Sequence, residues 1–401
     1  MNNQILTLAK DLIAIPSVSG EIEESVAILE LAKKQLAEYP FTPFASNSIP
    51  SLLYSNKGKD IKDFKIILNT HLDVVPADEQ QFHPFERDGK LLGRGSYDTK
   101  AAGAAMIFLF KELAHTLAYP LALQITTDEE MGGENGTGYQ IERGIRGDFV
   151  IASECGSNFS IVHEAKSRLV VKLIANGKTS HSAYPWLGEN AIWKLQQTIH
   201  SILQHYPPPA EEAYRTTVNI TRMQTQGEEK SEVAYNRTPD YCEALLDVRY
   251  VPAEKDLIVA QLQSLLTEGV EMQILHNTVP HQTDANNSYI KILQEVGAPI
   301  LRKKLPVIKQ HATSDVRLYS AVGCDGIEFG PIGKNQHAEE EWVDIKSLEQ
   351  YYDILKAFLL SLNQFKQSSF DKNEPIDNNS SSNDYTHHRA HAQHISFPLH
   401  L

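Results

Sequence analysis

The stretch Ile67-Leu-Asn-Thr-His71-Leu-Asp73-Val-Val-Pro76 decides how the rest of the chain is read. Just before it, Phe64-Lys-Ile-Ile-Leu68 is β-branched and apolar, the pattern of a buried strand. Pro76 cannot donate to a ladder, so the strand has ended by then. His71 and Asp73 therefore stand where a strand passes into a loop, and open α/β sheets place their chemistry at strand ends. Residues two apart in an extended chain face the same way, so both side chains can enter one cleft. A neutral imidazole is a good metal ligand, and a nearby carboxylate can fix its tautomer. Alone, the pair reads better as a buried histidine stabilised by an aspartate, since His-x-Asp occurs often by chance.

Further positions outward repeat the pattern. Gly93-Arg-Gly-Ser-Tyr-Asp98 turns tightly into an Ala-rich helix expected over Thr99 to Ala118. Asp98 there is an N-cap or a carboxylate able to bridge two cations. The expected strand Leu121 to Thr127 runs into Asp128-Glu129-Glu130, and the expected strand Asp148 to Ser153 into Glu154. A run of acids is usually a solvated surface turn; the other explanation is that cations use it. His337 follows in Gly333-Lys-Asn-Gln-His-Ala-Glu. His71, Asp98, Glu130, Glu154 and His337 together suit two zinc-like divalent ions, with cobalt or manganese as alternatives. Such a pair, about 3.5–4 Å apart, brings the pKa of bound water to about 7. Glu129, beside a ligand and expected to point the other way in an extended backbone, is placed to take the water's proton.

The wider chain sets the frame. Its 401 residues suggest two to three domain-sized units, and 41% apolar residues can bury a large core. No apolar run reaches the ~18 residues of a membrane span. Three scattered cysteines, Cys155, Cys242 and Cys324, fit reduced thiols. The N-terminus has no basic region before an apolar core, so the expected compartment is the cytoplasm. A net charge of −14 argues against nucleic acid and against an anionic membrane surface. Helices are expected over Asn3 to Ile15, Glu21 to Tyr39, Ser288 to Val296 and Ile345 to Leu362. Residues 167–278 read as strand, helix, strand, strand, helix, strand, a ferredoxin-like unit inserted as a second domain. The fold expected is α/β: a mixed-sheet catalytic domain, residues 1–166 and 279–366, interrupted by a lid or dimerisation domain, with a disordered tail over 367–401. That tail is rich in Asn, Ser and His and lacks apolar periodicity.

The motifs His71-x-Asp73, Gly95-x-x-Asp98, Asp128-Glu129-Glu130, Glu154 and His337-x-x-x-Glu-x-Val together resemble the acetylornithine deacetylase and succinyl-diaminopimelate desuccinylase family of dinuclear metallopeptidases. The resemblance spans about residues 5–365. It implies that His71, Asp98 and Glu154 hold one metal, and Asp98, Glu130 and His337 the other. It also implies that Asp73 orients His71, that Glu129 is the general base, and that the Asp98-Thr99 peptide is cis. By the same resemblance His181, in Ser180-His-Ser-Ala-Tyr-Pro185, reaches a partner subunit's site and holds an oxyanion, which requires a homodimer built through the lid. Taken alone, His181 could simply cap its loop. Asn236, Arg249 and Thr313 match positions that touch the substrate, Asn236 and Arg249 its carboxylate; Arg249 could equally form a surface ion pair. The function implied is hydrolysis of the amide of an N-acyl amino acid. The rival is a dipeptidase or carboxypeptidase acting on short peptides.

Overall fold

The structure is a computed structural model and describes residues 3–225 and 235–364. The expected tail over 367–401 lies outside the described residues. Asp63–His71 sits inside a nine-stranded mixed sheet. Leu121–Thr126 and Arg146–Ala152 flank it, both parallel to it. Phe64, Ile66, Ile67 and Leu68 are buried, each contributing roughly 1.5–3 kcal/mol for the apolar side chain removed from water. Beyond Leu121–Thr126 come the antiparallel strands Ile49–Ser55 and Phe41–Ser46. On the other side Asp325–Glu328 is parallel to Arg146–Ala152, and Ile161–Ala165 follows antiparallel.

Register explains why this sheet can carry a site. His71 pairs with Thr126, and Asn69 with Ala152, so three parallel strands end at one edge. Each then releases its chain into the loop that carries an acid: Asp73, Glu129-Glu130 and Glu154. Helices Asn3–Ile13, Lys100–Leu113 and Ile345–Gln364 supply the apolar cover. Gly103 lets Lys100–Leu113 approach the end of the central strand. A Cβ there would stand 2.8 Å from Thr70 Oγ1 and 3.1 Å from Leu72 Cδ2.

Residues 167–277 build a separate four-stranded antiparallel sheet from Thr217–Gln224, Tyr241–Tyr250, Ser167–Asn176 and Val270–Asn277. Helices Ala191–His205 and Ile258–Ser264 complete the expected element order. Alternation along Ser167–Asn176 puts Leu169, Val171, Leu173 and Ala175 into a hydrophobic cluster of its own with Leu195, Ile202, Leu246 and Leu262. A third sheet is not visible in the sequence pattern. Phe85–Arg87, Lys90–Leu92, Trp342–Asp344 and Gly333–Lys334 pair antiparallel and bring the chain around His337 back to the loop before Asp98. Among the described residues no helix is long and apolar enough to cross a membrane.

Candidate metal centre

His71 Nδ1 lies 3.1 Å from the backbone carbonyl of Asp73 and 3.4 Å from its Oδ1. Both are acceptors, so Nδ1 carries the proton and Nε2 presents a lone pair. That Nε2 is buried without a hydrogen-bond partner. It stands 3.3 Å from Asp98 Oδ1 and 3.9 Å from Glu154 Oε1. On the other side of Asp98, His337 Nε2 is 3.1 Å from Oδ2 and 3.2 Å from Glu130 Oε2. His71, Asp98 and Glu154 thus form one triad and Asp98, Glu130 and His337 another, with the donor atoms of each within 4.8 Å of one another. Ligand bonds of about 2.0–2.2 Å place neighbouring donors of a tetrahedral shell roughly 3.3 Å apart. The observed spacings fit, and Asp98 offers one oxygen to each triad.

The charges ask for cations. Asp73, Asp98, Glu129, Glu130 and Glu154 converge with two imidazoles as counterweight. Burial lowers the pKa of His71, but the carboxylates of Asp73 and Asp98 beside it outweigh that and raise it well above the usual histidine value. Hydrogen bonds to Asp98 and Glu130 push His337 up to about 10. Burial, then mutual repulsion, raises Glu154 well above the carboxylate range. Burial also raises Glu129, against the pull of His71 and with the push of Asp315 and Glu130. Burial pushes Asp98 up as well, yet the two histidines beside it prevail and hold it low. Two divalent ions would supply the positive charge that the cluster otherwise draws from protons.

The backbone around the triads is held by side chains. Asp73 accepts from Ser19 Oγ at 2.5 Å, from the Glu129 N–H at 3.2 Å and from the Glu130 N–H at 3.1 Å. It therefore ties His71 to the turn bearing Glu129 and Glu130. That turn is a short 3-10 helix, Glu129–Met131, not the extended backbone expected from the sequence. Successive amides turn inward to reach Asp73, so the two glutamates are separated by helical rotation and both face the cavity. The Asp98-Thr99 peptide is cis. Cys155 Sγ donates to Asp98 Oδ2 at 3.4 Å.

Glu129, Glu130, Asp98, Glu154 and His337 open onto a cavity of about 720 Å³. Arg249 and Thr313 line it, as the resemblance implies. Arg249 also pairs with Asp247 at 2.7 Å, the ion pair that is its other reading. Thr313 Oγ1 is buried and unpartnered. His181 and Asn236 do not line this cavity. Both are exposed on neighbouring segments of the second sheet's loops, where the Ser182 N–H donates to the Asn236 carbonyl and the Ala183 N–H to His181 Nδ1. Sequence reasoning missed three cations in the wall: Lys166, Arg168 and Arg317. Arg317 donates to the Gly132 carbonyl and to Glu134. Lys166 is 2% exposed and has no carboxylate partner among the described residues. Arg317 begins a helix, Val316–Ala321, whose shortness hid it, and Lys166 follows the unforeseen strand Ile161–Ala165.

Comparison with known proteins gives the family and the fold. A succinyl-diaminopimelate desuccinylase from Nitratiruptor sp. is 24% identical over 377 residues, covering 89% of this chain and 100% of the relative. A tripeptidase structure from Staphylococcus aureus superposes with a TM-score of 0.73 at 20% identity, covering 90% of this chain and 98% of the other. An M20 family metallo-carboxypeptidase from Sulfolobus solfataricus superposes with a TM-score of 0.69 at 19% identity, covering 90% and 99%. The model of Peptidase family M20/M25/M40 matches residues 67–361, the span that holds both triads, so the chain belongs to that family and is a hydrolase of amide bonds.

Proposed function

We propose that the protein removes the acyl group from an N-acyl amino acid that keeps a free α-carboxylate. The observation that carries this is the lining of one cavity by two kinds of group. Asp98, Glu130, Glu154 and His337 of the two triads line it, and so do Arg249, Lys166, Arg168 and Arg317. Cations in the same cavity as the triads favour a substrate with negative charge away from the scissile bond. A free peptide amine placed there would be repelled, which favours a deacylase over a peptidase acting at an amino terminus.

His71, Asp98 and Glu154 would hold one divalent ion and Asp98, Glu130 and His337 the second, with zinc the best match to an imidazole and carboxylate set and cobalt or manganese as substitutes. When bound, the pair polarises the amide carbonyl and acidifies a water. Asp73 keeps His71 in the tautomer that offers Nε2. Glu129 takes the proton of the attacking water and passes it to the leaving amine. Thr313, with its free Oγ1, and Arg249 orient the substrate carboxylate. His181 and Asn236, exposed beside one another, act from a second copy of the chain, so residues 167–278 serve as lid and homodimer contact. Three free thiols fit the cytoplasm as the compartment.

The test is turnover of N-acetyl and N-succinyl amino acids, their α-amides, and dipeptides, by protein reconstituted with zinc, cobalt or manganese. Turnover of the N-acyl amino acids with little on the α-amides is expected. Turnover confined to dipeptides would replace this reading with the dipeptidase or carboxypeptidase one.

A further inference from the structure

Glu341 lies four residues after His337 and is fully buried, yet it touches no substrate-facing surface of the cavity. Its carboxylate is saturated by the loop that presents Asp98. Oε2 accepts from Arg94 Nη1 at 2.5 Å and from the Gly95 N–H at 3.1 Å. Oε1 accepts from the Tyr97 N–H at 2.9 Å and from the Asp98 N–H at 3.0 Å. A carboxylate has about four lone-pair positions, and all are used. The backbone carbonyl of Glu341 takes the Gly93 N–H as well, at 3.2 Å. One residue therefore grips the Asp98 loop along its length.

The two triads depend on this grip unequally. His71 and Glu154 follow strands of the central sheet, and Asp73 fixes His71 and the Glu130 turn independently of Glu341. His337 does not follow a long strand. It sits at φ +61° in the loop between Gly333–Lys334 and Trp342–Asp344, the loop that ends on Glu341. Loosening Glu341 frees one ligand of the His71 triad, Asp98. It frees two ligands of the His337 triad, Asp98 and His337.

We infer that Glu341 is a positioning residue for the second cation, clamping the Asp98 loop with its carboxylate while its own chain segment delivers His337. This rests on the dinuclear reading proposed above. Glu341→Gln keeps the size but replaces one acceptor oxygen with a donor group, which faces backbone N–H groups that also donate. The cation held by Asp98, Glu130 and His337 should then bind roughly 10–100-fold more weakly, the range typical of lost outer supports. The cation held by His71, Asp98 and Glu154 should bind nearly as before.

The experiment is a zinc titration by calorimetry of the unmodified and Glu341→Gln chains after chelation, with visible absorption of the cobalt-loaded forms to show one ion or two. Two steps are expected for the unmodified chain, and selective weakening of one step for the variant, with the remaining ion keeping the affinity it has in the unmodified chain. Arg94→Met combined with Glu341→Gln removes the guanidinium left unpaired in the single variant and should show the same selectivity. Equal weakening of both steps, or no weakening, overturns the inference while leaving the dinuclear site intact. An unmodified chain that takes up fewer than two ions overturns the dinuclear reading and this inference with it. Hydrogen exchange of the unmodified chain in chelator is a measurement that needs no variant. The amides of Gly95, Tyr97 and Asp98 should exchange slowly before any ion is added, and fast exchange there also overturns the clamp.

Discussion

Replacing Asp73 with Asn should damage stability and cation binding together, because one carboxylate serves both. Oδ1 faces the Glu129 N–H and His71 Nδ1, and Oδ2 faces the Glu130 N–H and Ser19 Oγ. An amide group can replace only one oxygen. If it replaces Oδ1, His71 Nδ1 meets a donor and the Glu129 N–H loses its acceptor. If it replaces Oδ2, Ser19 can rotate to accept, and only the Glu130 N–H is stranded. The second arrangement is cheaper, and one stranded buried N–H costs about 1–3 kcal/mol. Loss of the charge behind His71 also lowers the basicity of Nε2, so the adjoining cation should bind roughly 10–100-fold more weakly. Urea unfolding in chelator reads the first quantity and calorimetric zinc titration the second. Stability within ~0.5 kcal/mol of the unmodified chain, with zinc affinity unchanged, would refute the role given to Asp73.

Other expectations follow from the same geometry. Glu129→Gln should retain both ions and lose about 10²–10⁴-fold in turnover, the usual share of a general base, as measured by steady-state kinetics beside metal analysis. Lys166→Met should raise KM for the N-acyl amino acid by roughly tenfold or more with little change in kcat, since a charged hydrogen bond contributes about 1.5–3 kcal/mol; an equal effect on the α-amide would contradict a role in holding charge. Metal-free protein should lose thermal stability as pH rises. Glu129, Glu154, His71 and His337 all have folded pKa values above their unfolded ones, so the folded state binds more protons and its advantage fades from about pH 5 upward, through the His337 value of about 10. Asp98 is shifted the other way, so its contribution is lost only as the solution becomes acidic. Melting curves in chelator across that range, with zinc restoring more stability at high pH than at low, would bear this out; a flat profile would not.

The parts of this site that the sequence exposes are those fixed by local periodicity. A buried parallel strand announces itself by an apolar run, and its end by the first polar residues. His71, the Asp128-Glu129-Glu130 run and Glu154 were legible for that reason, and register then carries them to one edge. The ferredoxin-like order of residues 167–277 was legible from alternation in strands such as Ser167–Asn176. What was hidden depends on distant pairing. Leu91 pairs with Val343, and strands this short carry no pattern of their own. Glu341 stands in the His337-x-x-x-Glu-x-Val motif, but its grip on the Asp98 loop shows only once that pairing buries it. Glu129 was misplaced because a turn pulled in by Asp73 is a tertiary effect that no local rule contains. His181 and Asn236 lie outside the cavity of their own chain, so the roles proposed for them need a second copy, which sequence periodicity cannot supply.

Asp98 would hold one divalent ion on each of its two oxygens. Anomalous diffraction at the zinc edge, from crystals of reconstituted protein, tests this most directly. Two peaks about 3.5–4 Å apart are expected, one against His71 and Glu154 and the other against Glu130 and His337. A single peak, or density away from Asp98, would contradict it.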